Sequence, residues 1–402
     1  MKIPPEIRKQ LFHINSQRRR ILLLAKKNRT PFYLFDKKQF VKNVQMVKQT
    51  FEKHLPGVSL FYAMKSNPHD FLLKNLVSLG VGIDVSGAGE LRAAIAAGAK
   101  KIIFTGPGKT KEELQLAIKQ KEKVTLILDS FTELRRLREV MANSSLTPVI
   151  GVRVVTSRYG DWNKFGIKLT DLKRFIRVVA KVPSLRFSGI QFHMSFNMSA
   201  EPYLESIKEV AEYLKAGLSL PERNRIKFID IGGGFMTDDA VLNFRPADFP
   251  TVPAAYYSVH FRALDDFVRP IGLMIKNSLA FLPNCVFYAE PGRLISTPAM
   301  HIVLRVLDVK DNCVITDGAT NMVGWEKFEE DYAPVVNLTH PSPREKKQLT
   351  YGSLCTPHDI WGFFCFAKKV AVGDILVIPN QGAYVYTFAQ NFIKEIPPVY
   401  EL

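Results

Sequence analysis

A lysine stands where a short apolar run stops. The stretch Phe61-Tyr62-Ala63-Met64-Lys65-Ser66-Asn67-Pro68 reads as a strand over 59–63 closed by a breaker. That ending puts Lys65 at the mouth of a loop, where catalytic groups on α/β barrels sit. A lysine that bonds covalently to a carbonyl needs an apolar setting that depresses its pKa, and Phe61, Tyr62 and Met64 supply apolar walls. Taken alone, such a lysine is a solvated loop residue. Further on, Gly232-Gly233-Gly234 follows Ile229-Asp230-Ile231. Three glycines let backbone N–H groups close on an anion such as phosphate; a tight turn is the plainer reading. Glu290-Pro291-Gly292-Arg293 ends the next strand. A carboxylate there can keep a heterocyclic nitrogen protonated, as a carbanion sink requires. Arg293 can grip a carboxylate or phosphate with two parallel bonds, a local salt bridge being the alternative. His193, after Ile190-Gln191-Phe192, is either a satisfied core residue or a ring that stacks on a flat cofactor. Cys355, in Leu354-Cys355-Thr356-Pro357-His358-Asp359, reads as a small buried apolar residue, with Asp359 able to orient a neighbour.

The elements that position these residues alternate. Strands are expected at 59–63, 81–85, 101–104, 125–128, 148–154, 187–192, 227–231 and 285–289, with helices at 69–79, 88–97, 110–119, 131–142, 170–181, 200–217 and near 258–276 between them. The strands are continuously apolar, as buried parallel strands are. Eight such units over about 250 residues predict a TIM-type (β/α)8 barrel. Before it, residues 1–29 read as one or two amphipathic helices and 30–35 as a strand. After Ser296 short β runs appear at 301–308, 313–317, 333–337, 347–351, 375–378 and 384–387, separated by Gly, Pro and Asn. The expected division is 1–37 as N-terminal helices and strand packing on the β domain, 38–282 as the barrel, and 283–402 as a C-terminal β-sandwich or barrel domain.

The chain has 402 residues, 47% hydrophobic and 23% charged, enough for two cored domains. No apolar run reaches the roughly 18 residues of a membrane span, and no signal peptide is evident. Cys285, Cys313, Cys355 and Cys365 are late and widely spaced, fitting neither a zinc pattern nor a disulfide framework; a reduced, cytoplasmic protein is expected. The 55 Lys+Arg against 38 Asp+Glu leave +17. That field attracts anionic partners, but no zinc finger or aromatic RNA-binding signature accompanies it. The densest basic cluster is Arg18-Arg19-Arg20 with Lys26, Lys27 and Arg29.

Taken in order, these motifs resemble those of the fold-type III, pyridoxal-phosphate-dependent amino-acid decarboxylases, the diaminopimelate/ornithine decarboxylase family, over roughly 30–395. The resemblance rests on Tyr62 to Asn67, Asp84 to Glu90-Leu91, Lys164-Phe165-Gly166, His193, Gly232-Gly233-Gly234-Phe235, Glu290 to Arg293, Cys355 to Asp359 and Gly382-Ala383-Tyr384. It implies that Lys65 carries pyridoxal 5'-phosphate covalently, that His193 stacks on its ring and that Glu290 pairs with the ring nitrogen. The three glycines, backbone near Gly292-Arg293 and the Tyr384 hydroxyl would hold the phosphate, with Asp84 and Ser195 also at the cofactor. Arg293 would alternatively face the substrate. Cys355 would come from the second subunit of a homodimer with shared active sites and return a proton after CO2 leaves.

Departures narrow the substrate. Family members acting on diamino acids carry an acidic residue after the cysteine, where this chain has Thr356. The arginine and tyrosine that follow the D-x-G-M-N segment in the diaminopimelate enzymes have no counterpart, since Asp317-Gly318-Ala319-Thr320-Asn321-Met322 is followed by Val323-Gly324-Trp325. The usual glycine after the histidine is missing from His193-Met194-Ser195-Phe196-Asn197, leaving Ser195 or Asn197 to act there, and Ile393 replaces an asparagine. Thr356, Asp359, Trp325 and Arg293 are the expected substrate contacts. The function expected is removal of the α-carboxylate of an unusual or conjugated amino acid in a siderophore- or antibiotic-like pathway, with an acidic carrier protein as a partner that the +17 charge would suit. Diaminopimelate decarboxylation is the alternative. A racemase of similar fold pairs the ring nitrogen with an arginine, against Glu290, and a non-enzymatic cofactor-binding protein does not require the full motif set.

Overall fold

The computed structural model describes residues 3, 5–142, 144–157, 164–195, 197–236, 242–243, 263–311, 313–324, 331–332 and 334–402. The chain folds as two compact units, one holding Met1–Asn43 and Arg293–Leu402, the other Val44–Met236 and Arg262–Gly292.

In the second unit, strands Ser59–Ala63, Gly82–Val85, Ile102–Phe104, Val124–Leu128, Val149–Val155, Arg186–Gln191, Phe228–Asp230 and Val286–Ala289 pair in that order, all parallel. The last pairs back onto the first, Tyr288 opposite Ser59, and closes the barrel. Ile83, Ile103, Ile127, Val152, Ile190 and Ile229 are fully buried, which is why the strands lack polar alternation. Helices begin where the sequence supplies caps. Thr110 and Glu113 form a reciprocal capping box, and the Ser130 hydroxyl accepts from Glu133 N–H. The barrel also buries an ion pair: Lys109 Nζ donates to Glu133 Oε2 at 3.3 Å and to the carbonyls of Gly106 and Ile127 at 2.6 and 2.7 Å. Burial lowers the Lys109 pKa against the pull of Glu133.

In the first unit a mixed sheet runs Cys313–Thr316, Pro341–Tyr351, Ile360–Ala367, Val335–Asn337, Ile375–Ile378, Met300–Lys310, Phe32–Phe35, Val399–Glu401, and Met300–Lys310 also pairs with Cys313–Thr316, curling six strands into a β-barrel. Helices Pro5–Ser16 and Arg18–Lys27 lay Ile7, Leu11, Ile14, Ile21 and Ala25 on Phe32, Leu34, Val303, Val336 and Val377. Arg18 of the basic cluster serves this packing, donating through Nε to the Leu338 carbonyl at 2.6 Å. No helix among the described residues is long and apolar enough to cross a membrane.

Three expectations change. The run 384–387 is not a strand: Tyr384 adopts left-handed backbone (φ 56°) and starts the helical turn Val385–Phe388. Strands Ile360–Ala367 and Val399–Glu401 were not anticipated; the first is an unalternating apolar run, which periodicity cannot tell from buried helix. The expected boundary at 283 falls too early, because Val286–Ala289 is a barrel strand and the chain changes unit at Arg293.

Asp36 ties the N-terminal helix down. Its Oδ2 lies 2.9 Å from His13 Nε2 and its Oδ1 accepts from Gln39 N–H at 2.9 Å, capping helix Lys37–His54. Burial works to raise the Asp36 pKa, but the bonds from His13 and Gln39 outweigh it and leave it lowered. A carboxylate depressed in the fold stabilises above its unfolded pKa of about 3.9, and that contribution disappears as pH falls through the folded value. Asp36→Ala should therefore destabilise by about 1–3 kcal/mol in urea melts at pH 7, and the difference from wild type should shrink below pH 4.

Candidate active site

Lys65 sits in the 3-10 turn Met64–Ser66, directly after strand Ser59–Ala63. The turn is braced by Ser66 Oγ donating to the Ala63 carbonyl at 2.8 Å and the Tyr62 hydroxyl donating to the Asn67 carbonyl at 3.0 Å. The Lys65 side chain is 38% exposed, with Nζ 4.0 Å from Oδ2 of the fully buried Asp84. Register explains the pairing, since Asp84 is the partner of Ala63 on the adjacent strand. Asp84 Oδ1 accepts from Thr105 Oγ1 at 2.6 Å. Burial, then the charge of Glu290, raises the Asp84 carboxyl to about 7, with Lys65 pulling the other way.

Glu290 follows strand Val286–Ala289 and is 1% exposed. Gln191 Nε2 donates to its Oε1 at 2.7 Å, and His193 Nδ1 lies 3.0 Å from its Oε2. Burial opposes ionisation, but the hydrogen bond and charge of His193, with Lys65 and Gln191, hold Glu290 down at about 2. His193 Nδ1 meets both the Glu290 carboxylate and the Gly233 N–H. Nε2 lies 3.3 Å from Ser195 Oγ, and burial keeps the ring neutral by lowering its pKa to about 4. Of the two candidates after the histidine, Ser195 meets the ring. Asn197 instead donates its backbone N–H to the Gly234 carbonyl at 3.2 Å.

Gly232-Gly233-Gly234 makes the turn beside this ring. Gly232 and Gly234 have φ of +72° and +88°, and a Cβ on Gly234 would lie 2.1 Å from the Met194 carbonyl oxygen. Gly233 N–H donates to His193 Nδ1 at 3.1 Å, and its carbonyl accepts from the Tyr203 hydroxyl at 2.6 Å. Gly292 abuts Ala63 and Ser66, joining the Glu290 turn to the Lys65 turn. The barrel thus gathers Lys65, Asp84, His193, Ser195, Gly232, Gly233, Gly234, Glu290 and Gly292 at its C-terminal strand ends.

The other unit holds the remaining expected residues. The Arg293 guanidinium lies 4.8 Å from the Tyr384 ring centroid. Gly382 packs against the Ser296 carbonyl, where a Cβ would collide. Cys355 is an exposed free thiol, and the half-buried Thr356 accepts from His358 N–H at 3.3 Å. Asp359 corrects an expectation. It is 1% exposed, its Oδ1 accepts from Thr320 N–H and Oγ1 at 2.8 Å, and its Oδ2 accepts from Leu354 N–H at 2.7 Å. With both oxygens committed, it braces the loop that carries Cys355. Trp325 lies outside the described residues.

Residues 40–297 match the family described as the pyridoxal-dependent decarboxylases, pyridoxal binding domain. The chain belongs to this family. It is a pyridoxal-phosphate-dependent amino-acid decarboxylase, a carboxy-lyase. The diaminopimelate decarboxylase of Bacteroides thetaiotaomicron is 25% identical, over 92% of this chain and 95% of that protein. The L-glutamyl-(BtrI acyl-carrier protein) decarboxylase of Niallia circulans is 27% identical, over 96% and 91%. The diaminopimelate decarboxylase of M. jannaschii in co-complex with L-lysine superposes with a TM-score of 0.80 at 23% identity, covering 95% of this chain and 89% of that one.

The decarboxylase's residues fit the cofactor. Lys65 offers the half-exposed amine of an otherwise buried cluster, Glu290 is an anion that can hold a ring proton, and the glycine turn leaves no room for a side chain. Sequence reasoning missed Gln191, Asp230 and Arg153, all buried polar groups on apolar strands; a charged or amide residue inside a continuously apolar strand was the available signal. Gly234→Ala should weaken pyridoxal phosphate binding at least about tenfold, read by absorbance titration of the apo-protein, because a Cβ at that φ and contact forces the turn open.

Proposed function

We propose that the enzyme removes the α-carboxylate of an amino acid whose far end carries no free ammonium group, an unusual or conjugated amino acid of a siderophore- or antibiotic-like pathway. One observation carries this reading: the only acid in residues 352–359 is Asp359, and both its oxygens are committed within the unit. A distal ammonium presented to this loop meets neutral Thr356, which is a poor exchange for its hydration. The Niallia circulans relative, named for a glutamyl group on an acyl-carrier protein, supports a conjugated substrate. The net charge of +17 suits an acidic carrier. Diaminopimelate decarboxylation is the second reading, favoured by the names of relatives at similar identity.

Pyridoxal phosphate supplies a carbonyl that takes up an amine and a ring that accepts the electron pair left by CO2. In our reading Lys65 would hold the cofactor covalently. Glu290, with Gln191 on one oxygen, would keep a proton on the ring nitrogen, and His193 would lie against the ring. The Gly232–Gly234 backbone would hold the phosphate, with the Tyr384 hydroxyl as a further contact and Arg293 at the phosphate or the substrate. The Cys355 thiol would return a proton to the α-carbon. Its exposure within one chain suits a group that serves a neighbouring subunit in a homodimer with shared sites.

CO2 release from the holoenzyme should be fast with a conjugated substrate such as a glutamyl carrier-protein thioester or a citryl-diaminopropionate. Fast release from meso-diaminopimelate would establish the second reading instead. Borohydride should fix the cofactor to wild-type protein but not to Lys65→Ala, as read by mass spectrometry. Lys65→Ala and Cys355→Ala should each be inactive, and mixing them should restore about a quarter of wild-type activity, since half the random dimers hold one intact site. No recovery on mixing would remove the shared-site proposal.

A further inference from the structure

Strand Ile375–Ile378 pairs antiparallel with Met300–Lys310, and Ile378 stands opposite Ile302. The ladder stops there, because Pro379 has no N–H to give and Asn380 takes left-handed backbone with φ 57°. The chain stays fastened to the same neighbour all the same. Gln381 N–H donates to the Met300 carbonyl at 2.6 Å, and Gly382 N–H to the Thr297 carbonyl at 3.1 Å. Arg293 and Tyr384 lie just past one end of this seam, with 4.8 Å between guanidinium and ring centroid. At the seam's other end the acceptor is a side chain: Asn380 N–H donates to His301 Nδ1 at 3.1 Å.

His301 is 1% exposed in a strand where Met300, Ile302, Val303 and Leu304 are fully buried. An apolar side chain would pack there, so its polarity needs a reason. An amide N–H that leaves a ladder inside the protein needs an acceptor, and a left-handed residue other than glycine persists only where its surroundings hold it. His301 answers both needs of Asn380. An accepting Nδ1 puts the ring proton on Nε2, which is buried with no hydrogen-bond partner among the described residues. The neighbouring anion is Asp36. One of its oxygens and a ring nitrogen of each of His13 and His301 lie within 4.8 Å of one another. That trio has the composition of a metal site, but with Nδ1 engaged and Nε2 protonated His301 has no lone pair to offer a cation. Burial outweighs the attraction of Asp36 and lowers the ring's pKa to about 4, so the ring remains an acceptor at neutral pH.

We propose that His301 is a positioning residue for the cofactor phosphate: in its Nε2–H tautomer it holds the Asn380 N–H and so fixes the turn that brings Tyr384 beside Arg293. This inference rests on the reading that places the Tyr384 hydroxyl at the phosphate.

The test titrates apo-protein with pyridoxal 5'-phosphate and with pyridoxal, which lacks the phosphate, and reads absorbance. No turnover is needed. His301→Leu fills the space without an acceptor, whereas His301→Asn keeps an oxygen near the place of Nδ1. His301→Leu should weaken pyridoxal phosphate about tenfold and pyridoxal by less than about twofold, since one buried N–H loses its partner on the phosphate side of the site. His301→Asn should recover the preference for the phosphorylated ligand, a rescue that a merely space-filling role does not predict. His301→Leu weakening both ligands equally, or neither, would overturn the proposal. Nitrogen-15 spectra of histidine-labelled wild-type apo-protein give a reading that depends on no variant's affinity. The ring assigned to His301 by its loss in His301→Asn should carry its proton on Nε2, and a proton on Nδ1 would overturn the proposal. Tyr384→Phe should lose the same preference. If it keeps that preference, the phosphate reading of Tyr384 fails and takes this inference with it. If Tyr384→Phe loses the preference while His301→Leu keeps it, this inference alone fails.

Discussion

An ionised carboxylate sealed from water is the constraint around which the barrel mouth is arranged. An uncompensated buried charge costs several kcal/mol even after relaxation. Glu290 escapes that cost only because donors reach it from neighbouring strand ends. The strand carrying Gln191 lies next to Phe228–Asp230, which lies next to Val286–Ala289. A parallel barrel brings those ends to one rim, so Gln191 Nε2 and His193 Nδ1 arrive on the two oxygens of one carboxylate. An antiparallel sheet would send alternate ends to opposite rims. The need to compensate one buried charge and the choice of a parallel barrel are therefore one constraint at two scales. Asp84 shows the reverse case. Equally buried but with one hydroxyl donor, it is pushed to about 7.

The chemistry was legible in the sequence because it sits at punctuation. Lys65 precedes Asn-Pro, the three glycines follow Asp230-Ile231, and Glu290 precedes Pro291-Gly292. Each marks a strand end, and strand ends are where a barrel presents side chains. The supporting residues were not legible. Gln191 and Asp230 close apolar strands that were read for burial alone. Their partners depend on register, which no local pattern supplies when both faces are buried. Asp359 failed in the opposite sense: its place beside Cys355 suggested substrate contact, but Thr320, which holds it, is distant in sequence.

The β unit was harder to read for a similar reason. Its strand Pro341–Tyr351 carries Pro341, Pro343, Arg344, Glu345, Lys346 and Lys347, which argue against a strand locally, and its pairing with Ile360–Ala367 is irregular in register. Ile360–Ala367 is buried along almost its whole length and shows no alternation. Such strands are specified by tertiary contacts. The same contacts fix the loop between them, where Asp359 pins Leu354 and Thr320 and leaves Cys355 exposed at the tip.

Rim and loop differ in how tightly their residues are held. The backbone superposes on a diaminopimelate decarboxylase with a TM-score of 0.80 although 23% of residues are identical. Glu290 is constrained from more than one strand end, and a change there leaves Gln191 or His193 without its buried partner. The Thr356 hydroxyl accepts from His358 N–H and its carbonyl from Asp359 N–H, both at 3.3 Å and within its own loop. A position so lightly coupled can change without loss of fold, whereas Glu290 cannot. Sequence change is therefore expected at the Cys355 loop before it is expected at the rim.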